Sequence, residues 1–142
     1  MGPGLLEGEA SAAGARFYRG VVGLTAGAEP APLGYVCGGE TTVEVAGTGV
    51  GGRNQEFLLG ALASGYRGGL LLAFGTDGID GNSQAAGAFF DEAVVARARE
   101  LSLDPARALL RNDSARFWGE CGGQLCTGST STNVADLVLY IP

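Results

Sequence analysis

Histidine and lysine are both absent from the 142 residues. Without histidine, Ser-His-Asp and Cys-His nucleophilic catalysis and histidine-ligated zinc are excluded within this chain. Without lysine there is no Schiff-base chemistry, and a kinase that grips phosphate through a lysine must take it from elsewhere. All nine basic residues are arginine and the net charge is −6, so no basic stripe exists to track a nucleic-acid backbone. No nucleic-acid partner is expected, although one small phosphate ligand needs only a few donors. Long apolar runs are missing too. None exceeds five residues, the length of 70–74, which is far short of a membrane span, and no signal peptide is seen, so no membrane partner is expected. Cysteine is scarce: Cys37, Cys121 and Cys126 are odd in number and lack C-x-x-C spacing. Reduced thiols and a cytoplasmic location follow from that usage.

What is present in excess is glycine, 26 residues with no Gly-X-Y period, beside an apolar content of 46% that suffices for a core. The length fits one domain, or one domain plus a fragment of another. Residues 5–22 read as a helix with one broad apolar face, and two prolines and two glycines make residues 23–33 a linker. A helix followed by a linker looks like the tail of something upstream, and truncation is expected. Short strands are predicted over 33–37 and 41–45, followed by a helix over 55–64 capped by Asn54. Residues 68–74 have the unbroken apolar character of a buried central strand. Further strands are predicted at 86–90, 124–126 and 137–141. Helices are predicted after Asp91, after Asp104-Pro105, and after Asn112-Asp113-Ser114. Strands alternating with helices give an α/β fold, a layered sheet with flanking helices.

Three polar, glycine-rich loops stand out, and they are expected to converge on one phosphate-handling site. In the stretch 38–54, glycines at this density suggest backbone amides approaching an anion rather than packing. Its end, Gly49 to Glu56, reads either as an anion cradle completed by Arg53 or as a turn with Arg53 paired to Glu40 or Glu56. It is not a Walker A loop, because the Lys-Ser/Thr ending is absent. The second loop, Gly75-Thr76-Asp77-Gly78-Ile79-Asp80-Gly81, places two acids three residues apart at a strand exit. They could hold Mg²⁺ or act on a hydroxyl; equally, each Asp could bond its own turn. The third, residues 127–133, offers hydroxyls and amides to a phosphate or polyhydroxy ligand, or is a solvated loop. Asn112, Asp113 and Ser114 are also ordinary helix caps, and Phe117 and Trp118 read as core.

Five ordered motifs resemble those of the MOFRL domain, the C-terminal domain of the glycerate 2-kinase family, some members of which are labelled hydroxypyruvate reductases. They are Gly38-Gly39-Glu40-Thr41-Thr42, Gly51-Gly52-Arg53-Asn54-Gln55-Glu56, the Gly75–Gly81 loop, Asn112-Asp113-Ser114, and Thr132-Asn133. Leu6-Glu7-Gly8-Glu9-Ala10 resembles the end of that family's larger N-terminal domain. The resemblance implies the C-terminal domain of a two-domain enzyme: residues 1–24 closing the upstream domain, 25–33 a linker, and 34–142 the MOFRL domain. It implies ATP-dependent phosphorylation of D-glycerate to 2-phosphoglycerate, with ATP and Mg²⁺ as cofactors and the site in the interdomain cleft. Arg53, Asp77 and Asp80 would be catalytic, with the two acids also at the metal. Glu40, Gly51, Gly52, Asn54, Asn112, Thr132 and Asn133 would bind substrate or cofactor.

Three departures accompany the resemblance. Val50 stands where the family commonly has an arginine, which removes an anion contact. Ser131 replaces a glycine, which stiffens the loop or fills ligand space, and Asn82 replaces a proline, which should loosen its turn. The missing partner is the N-terminal domain of the same enzyme, with the family's lysine, so the chain alone is expected to have little or no kinase activity. The competing readings are an NAD(P)H-dependent hydroxypyruvate reductase, for which no Gly-x-Gly-x-x-Gly opens a helix after a strand with an acidic residue about 20 residues on, and a non-catalytic anion-binding module.

Overall fold

The computed structural model describes residues 6–29 and 34–142. Helix α1 (Ala10–Thr25) begins at Glu9, whose carboxylate accepts from the N–H groups of Ser11 and Ala12 at 3.0 and 2.8 Å. The helix expected over 5–22 therefore starts later. Gly8, at φ +84°, breaks any earlier start, and Leu6 and Glu9 instead bridge to Gly39 and Thr42. Leu5 and Leu33, the expected beginnings of the first helix and strand, lie outside the described residues, as do residues 30–33 of the expected linker.

Helix α2 (Arg53–Ala63) is the hub. Residues 54 to 61 are buried without interruption, so this helix faces protein on every side. The side chains of Phe57, Leu58 and Leu59 are essentially inaccessible, each contributing roughly 2 kcal/mol. α1 crosses α2 closely enough that a Cβ on Gly14 would stand 1.8 Å from the Phe57 carbonyl oxygen. One on Gly60 would stand 2.0 Å from that of Ser11. Phe17 and Phe57 meet beside the crossing. The helix expected to end a preceding unit thus shares its core with the rest of the chain.

β1 (Tyr35–Gly39), β2 (Leu70–Gly75), β3 (Gly87–Phe90), β4 (Gln124–Leu125) and β5 (Asp136–Ile141) form one sheet in the order β1-β5-β2-β3-β4. Every pairing is antiparallel. The predicted central strand is β2, held between β5 and β3. The segment 41–45, expected as a strand, makes only the Thr42 bridge, because no neighbouring strand offers it a ladder. Helices α3 (Glu92–Glu100), α4 (Pro105–Leu110) and α5 (Ser114–Cys121) complete the layer around α2. Asp91 and Asp104 cap α3 and α4 as their sequence positions predict.

The register sorts the sheet into two faces. Leu71, Ala73, Ala88, Phe90, Val138 and Tyr140 face the helices and are buried, with Trp118 and Tyr18 packed on Phe90. The opposite face carries Leu70, Leu72, Phe74, Leu137 and Leu139, half-buried, and Val36, 70% exposed.

Candidate functional site

Burying the first turn of α2 forces its polar groups to find partners inside the protein. The anion at this helix N-terminus is Asp80. Its Oδ1 accepts from the backbone N–H and Nδ2 of Asn54 at 3.0 and 3.1 Å. Its Oδ2 accepts from the backbone N–H and Nε2 of Gln55 at 2.9 and 3.1 Å. Asp80 is 1% exposed; burial pushes its carboxyl up, and the four N–H donors pull against that shift. Asn54, predicted to cap α2, lies one residue inside it; Gly52 is the N-cap, and Asp80 does the capping from outside.

The glycines ahead of α2 do pack, contrary to expectation. A Cβ on Gly51 would meet Ser114 Oγ at 1.9 Å, and one on Gly52 would meet the Asp80 carboxyl at 2.4 Å. They let two chain segments close on the helix start, and the anion approached is one of the protein's own side chains. Asn82, expected to loosen its turn, ties it: its N–H donates to Gly51 O at 3.1 Å and its Oδ1 accepts the Gly51 N–H at 2.9 Å. A proline could make neither bond.

Above this floor is a groove of about 570 Å³ lined by Glu40, Gly51, Gly52, Arg53, Glu56 and Asn112, with Thr41, Thr42 and Val43 along one wall. Arg53 is fixed from below by Asp136, 3% exposed at the start of β5: Nε donates to Oδ2 at 2.5 Å and a terminal nitrogen to Oδ1 at 3.1 Å. Its other terminal nitrogen meets Glu40 Oε1 at 3.0 Å, and the Glu40 side chain is 66% exposed. The Asp136 hydrogen bonds push the guanidinium pKa upward, so Arg53 is charged at any working pH.

Asn112 is an internal clamp. Its Oδ1 accepts from the N–H groups of Ala46 and Gly47 at 2.8 and 2.7 Å, while Nδ2 donates to Glu56 Oε1 at 2.7 Å and Glu44 O at 3.3 Å. It sits at φ +50°, a conformation asparagine tolerates, and has no polar capacity left over.

The three loops do not converge on this groove as expected: of the second loop only Gly81 lines it, and no residue of the third does. Asp77 Oδ1 accepts its own loop's Ile79 N–H at 3.0 Å. Asp77 O accepts from Thr130 N–H, and Thr76 Oγ1 accepts from Val134 N–H, which seats the third loop on the second. Thr132 and Asn133 are exposed there, Asn133 Oδ1 accepting the Ala135 N–H at 3.2 Å. Ser131, in the glycine position, takes φ +59°. A cation shared by Asp77 and Asp80 does not fit this arrangement, because the Asp80 oxygens already hold four N–H groups and face no solvent. Among the described residues no group of three or more cysteine or acidic side chains is placed to hold a metal.

The MOFRL family profile matches residues 33–136. The chain belongs to the MOFRL family. It is similar to the D-glycerate 2-kinase of Thermotoga maritima, 42% identical over 110 residues that cover 76% of this chain and 26% of that protein. It is also similar to the glycerate 2-kinase of Pyrococcus horikoshii, 39% identical over 96% of this chain and 32% of that one. The crystal structure of the Thermotoga maritima glycerate kinase superposes with a TM-score of 0.87 at 37% identity, covering 97% of this chain and 34% of that one. The chain therefore spans about a quarter to a third of the length of the curated relatives it matches.

Within this MOFRL domain the structure brings Glu40, Gly51, Gly52, Arg53 and Asn112 to one groove. Asn54 and Asp80 lie beneath it, and Asp77, Thr132 and Asn133 lie on the other two loops, outside its lining. Sequence reasoning missed Asp136, and it weighed Glu56 only as an ion-pair partner of Arg53, a place that Glu40 takes. Asp136 carried a signal: it is an acid opening a central apolar strand, where only a strong partner justifies burial.

Proposed function

We propose that this domain supplies one wall of a glycerate kinase active site, in which the γ-phosphate of ATP moves to the 2-hydroxyl of D-glycerate to give 2-phosphoglycerate. The observation that carries this reading is Arg53, held bidentately by a buried aspartate with its remaining edge turned to the groove. An incoming carboxylate or phosphate takes the place of the exposed Glu40 on that edge, at little cost because surface ion pairs are weak. Asp80 acts as a positioning group that sets the first turn of α2, and Asn112 sets the facing wall. Asp77, Thr132 and Asn133 lie outside the groove lining, on the two loops that seat on each other.

Arg53 is the sole cation lining the groove among the described residues, against Glu40 and Glu56 on the walls and Asp136 and Asp80 beneath. Binding two anions, glycerate and a nucleotide, requires more positive charge than this wall holds. The N-terminal domain of the same enzyme is the partner that completes the cleft, with its lysine and the site for ATP and its Mg²⁺. Phosphoryl transfer is mostly positioning and charge neutralisation, which suits a site divided this way. The enzyme acts in the cytoplasm.

The test is to incubate the complete protein with ATP, Mg²⁺ and D-glycerate and identify the product by ³¹P NMR. The 2-phosphoglycerate signal is expected. Transfer to the 3-hydroxyl overturns the regiochemistry, and no transfer overturns the reading.

A further inference from the structure

Glu56 is buried, 4% exposed, on the groove wall, and no cation among the described residues pairs with it. Asn112 Nδ2 holds its Oε1 at 2.7 Å, and no described donor holds Oε2. A neutral glutamine would keep the Asn112 hydrogen bond without burying a charge, so the carboxylate is not needed to hold that wall. Glu56 also follows Arg53 by three residues, one turn along the same face of α2, a spacing of about 5–6 Å between Cβ atoms. That separation suits a small 2-hydroxy acid, whose carboxylate and hydroxyl sit on adjacent carbons.

We propose that Glu56 is the catalytic base that takes the proton of the substrate hydroxyl while Arg53 holds the substrate carboxylate. The inference rests on the glycerate kinase reading and deepens it. The hydroxyl O–H bond breaks and its proton passes to Glu56 Oε2. The oxygen's electron pair forms the new bond to the γ-phosphorus of the nucleoside triphosphate, and the nucleoside diphosphate leaves with the pair of the broken P–O bond. Solvent then removes the proton from Glu56.

The surroundings suit the task. Burial pushes the Glu56 carboxyl above the usual carboxylate range, towards a working base, and the negative charges of Glu9 and Asp80 add to it. The Asn112 hydrogen bond pulls the other way. The charged and polar groups around Glu56 are Glu9 at the start of α1, Asp80 from the β2–β3 loop, Asn112 ahead of α5, and Arg53 on its own helix. Asn112 is the positioning residue, locked by its bonds to Ala46 and Gly47.

The experiment is steady-state kinetics of the complete enzyme, wild type against Glu56→Gln, from pH 5 to 8. The expected result is a kcat lowered about 100- to 1,000-fold with the glycerate KM within about threefold, and loss of the acid limb of the wild-type kcat profile. Glu56→Asp keeps a carboxylate and should recover part of kcat and the limb. A folded Glu56→Gln enzyme with wild-type kcat overturns the inference and leaves the kinase reading standing. Wild type that fails to phosphorylate glycerate overturns both. If Glu56→Gln does not fold by circular dichroism, the wild-type profile decides, and a flat kcat across this range overturns the assignment.

Discussion

Two carboxylates buried beside the first turn of α2 meet opposite fates. Asp80 has four N–H donors and is structural; Glu56 has one and faces the groove. The difference predicts a pH signature in stability. Burial raises the folded-state pKa of Glu56, so folding favours its protonated form. The cost of its charge is absent at acid pH and appears as pH rises through the folded value. Glu56→Gln should therefore raise Tm at pH 8 and leave it nearly unchanged at pH 4, while lowering activity; thermal melts at the two pH values check this. Asp136→Asn strips Arg53 of a charged, buried partner. A loss of about 2–3 kcal/mol in denaturant unfolding is expected, with a glycerate KM raised at least about tenfold in the complete enzyme. Unchanged stability and KM would show that Arg53 is held by something else.

Elements with local signals were legible in the sequence. Asp91 and Asp104 cap their helices where composition places them, and the apolar run at 68–74 becomes the central strand β2. What was illegible is carried by bonds between distant segments. Arg53 and Asp136 are 83 residues apart, Asn112 and Ala46 are 66 apart, and Asp80 reaches back 26 to Asn54. No local pattern announces such pairs, so the glycines of 38–54 read as an anion cradle although they let the chain close on distant backbone and side chains, Gly39 on Leu6, Gly47 on Arg111, Gly51 on Ser114 and Gly52 on Asp80. Strand direction was equally silent, since antiparallel order depends on which strands meet. The α1–α2 crossing gives a test at this scale. Gly60→Ala places a methyl group against the Ser11 carbonyl, where backbone rather than a flexible side chain must yield. A loss of about 2 kcal/mol or more is expected in urea unfolding, despite the better helix propensity of alanine. A stabilised variant would show that the crossing is looser than described.

At the scale of the molecule, two surfaces ask for covering: the groove, lined by a single cation among the described residues, and the apolar outer face of the sheet. Antiparallel sheets with one face in water normally alternate polar residues there, whereas this face presents Leu72, Phe74, Leu137, Leu139 and Val36. The 142-residue chain by itself should therefore associate with rising concentration in sedimentation velocity, and its turnover of ATP and glycerate should be negligible; a monomeric, active chain would contradict both expectations. The central claim, that this groove receives the substrate anion on Arg53, is tested most directly by Arg53→Ala in the complete enzyme. The account predicts a kcat/KM for D-glycerate lowered about 100-fold or more in a folded protein. Wild-type kinetics would contradict it.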